Sequence, residues 1–339
     1  MPDTNIPTID LSAARNGPPQ AREEAARAIG RACEDIGFFL VSGHGIEEGL
    51  IGGVYQAARS FFDLPVDEKM KVKRRKAEIS RGYNVFADQS LAYSRGMAMP
   101  PDLQESINFG PMAIGSGPYY DEGFGAVHFA PNLWPENPAA LRPLTNAYYH
   151  AMEGLAAELM ALFAVSLALP ADFFADKIDR HVSSLRFINY PDHTVPPAPG
   201  QLRAGEHSDY GSLTILKVED APGGLQVQDR AGRWLDIGHV PGTFVVNIGD
   251  LMMQWTNDRW ISTLHRVANP PPIVGQGARR ISLVFFHQPN YDAEIACLPT
   301  CQDSANQPRH PVTTSGAHWR AKNQAAREMK ASLLAGAAQ

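Results

Sequence analysis

Three cysteines, Cys33, Cys297 and Cys301, are too few for an all-paired disulfide framework, and a chain of 339 residues does not need one to bury a core. The scarcity fits a reducing compartment, and a cytoplasmic location is expected. Cys297 and Cys301 have no second cysteine pair and only the isolated His287 as a further candidate ligand, which argues against a thiolate metal site. No window comes near the roughly 18 consecutive apolar residues that mark a membrane span. The opening MPDTNIPTIDLS also lacks a charged region followed by an apolar one, so neither export nor membrane embedding is expected. Basic charge is sparse too. The formal charge is -6, and the short cluster from Lys69 to Lys76 is interrupted by Met70 and Val72, which gives no field for nucleic acid. Internal repeats and low-complexity tracts are missing as well.

What is present is the composition of a folded enzyme: 44% hydrophobic residues, 19% charged residues, and 27 prolines to punctuate short elements. Ile6 to Leu11 reads as an edge strand, Ala21 to Ile36 as a helix, Gly37 to Val41 as a buried strand, and Ile46 to Phe62 as a second helix stopped by Pro65. From Arg81 to Pro135 the pattern weakens into an irregular stretch rich in Gly, Pro and aromatics. Such a stretch is expected either to cover the pocket as a lid or to pack on its own rings. The strongest helical signal runs from Pro138 to Leu169, where Leu141, Leu144, Tyr148, Met152, Leu155, Leu159 and Leu162 step by three or four, followed by a shorter helix from Ala171 to Ile178.

After Ser183 the period changes to two. Short apolar runs follow at Leu185 to Tyr190, Ser212 to Val218, Leu225 to Asp229, Phe244 to Ile248, His265 to Val267 and Arg280 to Phe286, most of them separated by Gly and Pro, as in the run Pro270 to Pro272. Many short strands at this spacing point to a β-sandwich or jelly roll, with the helical half packed on one face and His318 to Leu334 as a last surface helix. The class is therefore α+β.

Chemistry concentrates in the strand half. In Glu206, His207, Ser208, Asp209, strand alternation would turn His207 and Asp209 to one side. His265 lies far along the chain, yet strands so separated can be neighbours in a jelly roll. Two imidazoles and a carboxylate on one face of an octahedron leave three positions open, which suits iron(II) in oxygenases, although the short His-x-Asp pattern also occurs on ordinary surfaces. In the strand Arg280 to Phe286, residues Arg280, Ser282, Val284 and Phe286 share a face. An arginine on an inward face needs an anion, which is either a protein carboxylate or a ligand's. A guanidinium beside a hydroxyl makes a good carboxylate clamp. The remaining histidines, His44, His128, His150, His181, His193, His239, His310 and His318, have no partner at ligand spacing.

The order His207, Asp209, His265, Arg280, Ser282 resembles the isopenicillin N synthase-like branch of the iron(II)- and 2-oxoglutarate-dependent dioxygenases. Supporting segments run through nearly the whole chain: IPTIDL (6–11), ACEDIGFFLVSGHGI (32–46), SFFDLPVDEK (60–69), RGY (81–83), GDLMMQWT (249–256) and STLHRVANP (262–270). The resemblance implies a distorted double-stranded β-helix, a jelly roll braced by N-terminal and central helices and followed by a C-terminal helix. It further implies iron(II) on His207, Asp209 and His265, with 2-oxoglutarate held by Arg280 and Ser282 and assisted by Tyr190. In plant members two adjacent tyrosines commonly stand where this chain has Asn189 and Tyr190. O2 is the third reactant. The expected organisation is one structural unit: an N-terminal helical and loop region (1–135), supporting helices (136–180), the catalytic jelly roll (181–292) and a C-terminal segment and helix (293–339).

The implied activity is hydroxylation, desaturation or rearrangement of a small organic molecule, with release of succinate and CO2. Strand parity and chain adjacency nominate Arg186, Tyr210 and Phe286 for the substrate pocket, a set suited to a small planar or anionic molecule. Alternatively, Phe286 is core and Arg186 neutralises a buried carboxylate. Two other functions share the motifs: an oxidase that grips a substrate carboxylate with the same Arg and Ser and uses O2 without 2-oxoglutarate, and an inactive small-molecule binding protein on the same fold. The primary substrate and the oligomeric state are not written in the sequence.

Overall fold

In the computed structural model, which describes residues 6–88, 90–192, 196–271 and 277–337, the helix Leu141–Ser166 is the central brace. His193, Pro272 and the first five residues lie outside the described residues. Leu141, Tyr148, Met152, Leu155, Leu159 and Phe163 recur along one side of that helix and are buried, because steps of three and four keep side chains on one stripe. The stripe packs against the helices Pro19–Asp35 and Glu48–Phe62 and against a broad sheet. The shorter helix expected from Ala171 shrinks to Ala175–Ile178, since Phe173 and Ala175 close turns back onto Pro170 and Asp172. Among the described residues no helix is long and apolar enough to cross a membrane.

Twelve strands build the two main sheets. In chain order they are β1 (Thr8–Asp10), β2 (Phe38–Ser42), β3 (Gly82–Asn84), β4 (Glu105–Phe109), β5 (Ser184–Tyr190) and β6 (Ala204–His207), then β7 (Leu213–Val218), β8 (Gly224–Gln228), β9 (Trp234–Asp236), β10 (Phe244–Ile248), β11 (His265–Ala268) and β12 (Arg280–His287). The large sheet runs β1-β2-β10-β7-β12-β5-β4-β3, and the small sheet runs β6-β11-β8-β9. Among the described residues the strand pairings of the large sheet are antiparallel except β1 with β2, which is parallel. The stretch read as irregular, 81–135, thus supplies β3 and β4 to the edge of the large sheet. Its aromatics also pack on one another, with Tyr119 and Tyr120 edge to face at 5.2 Å and Phe109 stacked on Trp134 at 4.7 Å.

Alternation along β12 divides the molecule. Ile281, Leu283 and Phe285 point to the helices and join the main core, while Val284 turns to the other side, where Ile188, Tyr190, Ala204 and Val267 bring the two sheets face to face. A second contact between the sheets joins Phe38, Leu40 and Val245 to Leu225 and Val227. The result is the jelly roll with helices on one outer face. Phe285 is fully buried and meets Tyr149 edge to face at 5.2 Å. Phe285→Ala is expected to cost about 3–5 kcal/mol of unfolding free energy, read as a lower denaturation midpoint with unchanged slope. A cost under about 1 kcal/mol would contradict this packing.

The turn from the first long helix into β2 requires glycine. Gly37 has φ +68° and donates its N–H to Ala32 O at 2.9 Å, closing the helix end. A Cβ there would stand 2.0 Å from the carbonyl oxygen of Ile261. That close approach ties the helix end to the segment that leads into β11.

Candidate metal centre

His207 is the last residue of β6 and His265 the first of β11, and antiparallel pairing sets them directly opposite each other. Their rings lie 4.2 Å apart, centre to centre. Asp209 is positioned differently from the alternation argument, because β6 ends at His207 and Asp209 sits in the turn leading to β7. Main-chain and side-chain bonds hold it instead. The Asp250 N–H donates to Asp209 O at 2.7 Å. Its carboxylate Oδ2 accepts from Thr214 Oγ1 at 2.6 Å and from Asn247 Nδ2 at 2.7 Å. Thr214 and Asn247 are cross-strand partners in β7 and β10, so the large sheet aims this carboxylate at the two histidines of the small sheet. Gly249 permits the close approach, for a Cβ there would stand 2.2 Å from Gly211 O.

The donor atoms face one another. His207 Nδ1 lies 2.7 Å from Gly205 O and His265 Nδ1 lies 3.1 Å from Thr263 O, so each Nδ1 carries the proton. The free Nε2 atoms lie 4.0 and 3.8 Å from Asp209 Oδ1. Those separations are too long for hydrogen bonds and suit three donors turned to a common point. All three ligand atoms fall within 4.8 Å of one another, and no other such group of His, Cys, Asp or Glu occurs among the described residues. His287 bonds Ser212 Oγ through Nδ1 at 2.7 Å instead of joining Cys297 or Cys301.

Electrostatics favour the ligating forms. Burial, and then the neighbouring His265, push His207 well down and keep it neutral. Burial alone would raise the Asp209 carboxyl, but His265 and His207, with the bonds from Thr214 and Asn247, hold it below the ordinary range and anionic. Two neutral imidazole nitrogens and one carboxylate oxygen fit a divalent first-row metal. Asn247→Ala is expected to weaken iron(II) binding about 10–100-fold by releasing the carboxylate. Competitive metal titration reads this, and an unchanged affinity would show that Asn247 has no part in orienting Asp209.

Above the trio opens a cavity of about 430 Å³. Arg280 and Ser282 enter it from β12 and Tyr190 from β5, with Arg280 and Tyr190 in register. The Arg280 guanidinium stands 6.0 Å from the Tyr190 ring centre, is buried, and makes no ion pair among the described residues. Its Nε has no hydrogen-bond partner. A buried guanidinium with no ion-pair partner among the described residues fits an anionic ligand arriving from solution. Burial lifts the Tyr190 hydroxyl to about 12, so it stays protonated and can donate. Arg203 lies under Tyr190 at 5.8 Å and donates to Pro222 O at 2.9 Å and to Ala278 O, tying together the loops beside Arg280.

Arg186, Tyr210 and Phe286 line the same cavity. Arg186 Nε donates to Asn108 Oδ1 at 2.9 Å, its guanidinium lies 5.3 Å from the Phe286 ring centre, and it forms no ion pair among the described residues. Phe286 is only half-buried, with its ring on the cavity wall. The sequence reading overlooked Thr214, Asn247, Asn108 and Arg203, and it placed the last helix on the surface. That helix, Ser315–Ala337, contributes Trp319, Asn323 and Arg327 to the cavity, and its Lys322 pairs with Asp250 at 2.8 Å. A polar residue inside the apolar run Phe244 to Ile248 was the available signal for Asn247.

Residues 181–289 match the family model described as the 2OG-Fe(II) oxygenase superfamily, and residues 6–137 match the one described as the non-haem dioxygenase in morphine synthesis N-terminal. A 2-oxoglutarate-Fe(II) type oxidoreductase of Emericella nidulans is 34% identical over 93% of this chain and 88% of its own. A homoarginine-6-hydroxylase of Arabidopsis thaliana is 33% identical over 88% of this chain and 89% of its own. The crystal structure of a full-length Neurospora crassa protein in complex with alpha-KG superposes with a TM-score of 0.80 at 29% identity, covering 96% of both chains.

Proposed function

Because the chain belongs to the 2-oxoglutarate- and iron(II)-dependent oxygenase superfamily, we propose that His207, Asp209 and His265 hold its iron. In the same reading Arg280, Ser282 and Tyr190 hold 2-oxoglutarate, and Arg186, Tyr210 and Phe286 face a small organic substrate. The observation that carries this assignment is the shared cavity, in which the three convergent donors and a buried, unpaired Arg280 lie together. The regions 1–135, 136–180, 181–292 and 293–339 act as one unit, and the cytoplasm is the proposed location.

The protein is a 2-oxoglutarate-dependent dioxygenase. Bound iron(II) supplies the O2 chemistry that couples oxidative decarboxylation of 2-oxoglutarate, giving succinate and CO2, to oxidation of a substrate C–H bond. The chain's own residues supply position and environment. His207 and His265 present Nε2 because main-chain carbonyls take the proton side of each ring. Asp209 offsets part of the metal charge with one oxygen while Thr214 and Asn247 occupy the other. Arg280 and Ser282 fix the distal carboxylate of 2-oxoglutarate, and the protonated Tyr190 hydroxyl donates beside them. Arg186 and Phe286 restrict which carbon of the substrate faces the metal.

Aerobic assay of succinate tests the activity. Slow succinate formation that requires both iron(II) and O2, even before the primary substrate is known, is the expected result. Wild-type protein that binds iron but forms no succinate would sink the reading.

A further inference from the structure

We propose that the primary substrate is a small organic anion, a carboxylate on a flat apolar body, gripped by Arg186 and met at the cavity mouth by Arg74 and Arg327. The inference rests on the reading of this cavity as the oxygenase's active site. Three separate parts of the chain deliver these arginines to one cavity. Arg186 comes from β5, Arg74 from the segment before β3, and Arg327 from the C-terminal helix. None of them forms an ion pair among the described residues. Arg74 is anchored by neutral acceptors only, with Nε donating to Ile79 O at 3.0 Å and Lys76 O at 3.2 Å and a terminal nitrogen donating to Ala77 O.

The acids that line the cavity are already engaged. Asp209 faces the two histidines, and Asp88 pairs with Lys330 at 2.9 Å. Burial, and then the charges of Arg186 and Arg327, push Arg74 down to about 10, outweighing the opposite pull of Asp88 and Glu78. Like charges gathered in a partly desolvated cleft are unfavourable unless an anion sits among them. An ammonium substrate would meet repulsion from all three guanidiniums, whereas a carboxylate would relieve their mutual repulsion.

This anion site is distinct from the co-substrate clamp. Arg186 and Tyr190 share a face of β5 four positions apart, roughly 13 Å along the strand. On β12, Arg280 stands opposite Tyr190 and Val284 opposite Arg186. The clamp at Arg280 and the grip at Arg186 therefore take separate carboxylates. The apolar body is set by Phe286, which stands 5.3 Å from the Arg186 guanidinium, with Ile188 and Val284 on the same wall. A flat ring against Phe286 with its carboxylate on Arg186 satisfies both surfaces.

The test uses matched probes on the full protein with iron(II) and 2-oxoglutarate bound, without O2, following the visible charge-transfer band of that complex. Benzoate is compared with benzamide, phenylacetate with phenylacetamide, and 3-phenylpropanoate with its amide, while benzylamine serves as the cation. At least one carboxylate is expected to perturb the band with a Kd about tenfold or more below that of its amide, and benzylamine is expected to have no effect. Arg186→Gln should remove that preference. Arg327→Gln, on an exposed helix position that cannot disturb the core, should reduce it about threefold.

Amides that bind as tightly, a response to benzylamine, a preference that survives both substitutions, or no response to any carboxylate overturns the proposal. A band that forms in the wild type without carboxylate preference defeats the substrate inference alone. A band that never forms defeats the co-substrate assignment and this proposal with it.

Discussion

Asp209→Ala is expected to abolish iron retention and turnover, with iron(II) affinity reduced by far more than the roughly 10–100-fold attached to the loss of an outer hydrogen-bond partner. The carboxylate is the one anion among the three donors, and burial keeps His207 neutral. Without it the ion meets two imidazoles and no compensating charge, at the floor of a cavity where the three ligands are largely buried. Thr214 Oγ1 and Asn247 Nδ2 lose their shared acceptor but keep their places in β7 and β10, so the apo protein should remain folded. Metal content after dialysis and a competitive titration read the first effect, and circular dichroism of the apo protein reads the second. A folded variant that keeps iron at wild-type affinity would remove Asp209 from the site.

The second large effect is expected at Arg280. Removing one partner of a buried, hydrogen-bonded charge pair costs about 2–5 kcal/mol, or about 30- to 4,000-fold in affinity. Arg280→Ala should therefore raise the Kd for 2-oxoglutarate within that range and leave iron binding intact. Specificity supplies the control. A 2-keto acid without the distal carboxylate, such as 2-oxobutyrate, should bind the variant and the wild type alike. Stability supplies another, because in the apo protein the guanidinium is buried, its Nε has no partner, and it forms no ion pair among the described residues. Such a group is costly in the empty site. The apo variant should unfold no earlier than wild type. Equal loss of both ligands, or early unfolding, would mean that Arg280 supports the fold and not the co-substrate.

These residues also show what could be read from the sequence and what could not. The strands β5, β7, β10 and β12 were legible because they are buried between helices and the second sheet, so apolar residues dominate them. The helix Leu141–Ser166 was legible because its stripe extends over many turns. β4 was not, because its interior is polar. Glu105 accepts from Lys69 and Asn189, each at 2.8 Å, and Asn108 bonds Arg186, so the strand's hydrophobic trace is only the pair Ile107 and Phe109, too short to set a pattern. β9, with three residues, is too short to set a pattern.

At the site, chain order revealed the kinds of residue but not how they are held. His207 and Asp209 meet through a turn and a cross-strand pair of polar residues on other strands, which no local rule of alternation contains. Tertiary context likewise gives the short basic cluster its meaning. Lys69 is buried against Glu105, whereas Arg74 reaches the cavity mouth. The last helix has a weakly apolar sequence typical of a surface, yet one side of it closes the cavity with Trp319 and Asn323.

The most direct test of the central claim is an anaerobic titration of the iron(II)-loaded protein with 2-oxoglutarate, observed in visible light. The account predicts a weak metal-to-ligand charge-transfer band that saturates with one equivalent of 2-oxoglutarate per chain, and that is lost in Asp209→Ala and shifted to much higher concentrations in Arg280→Ala. Bound iron with no band at saturating 2-oxoglutarate would contradict it.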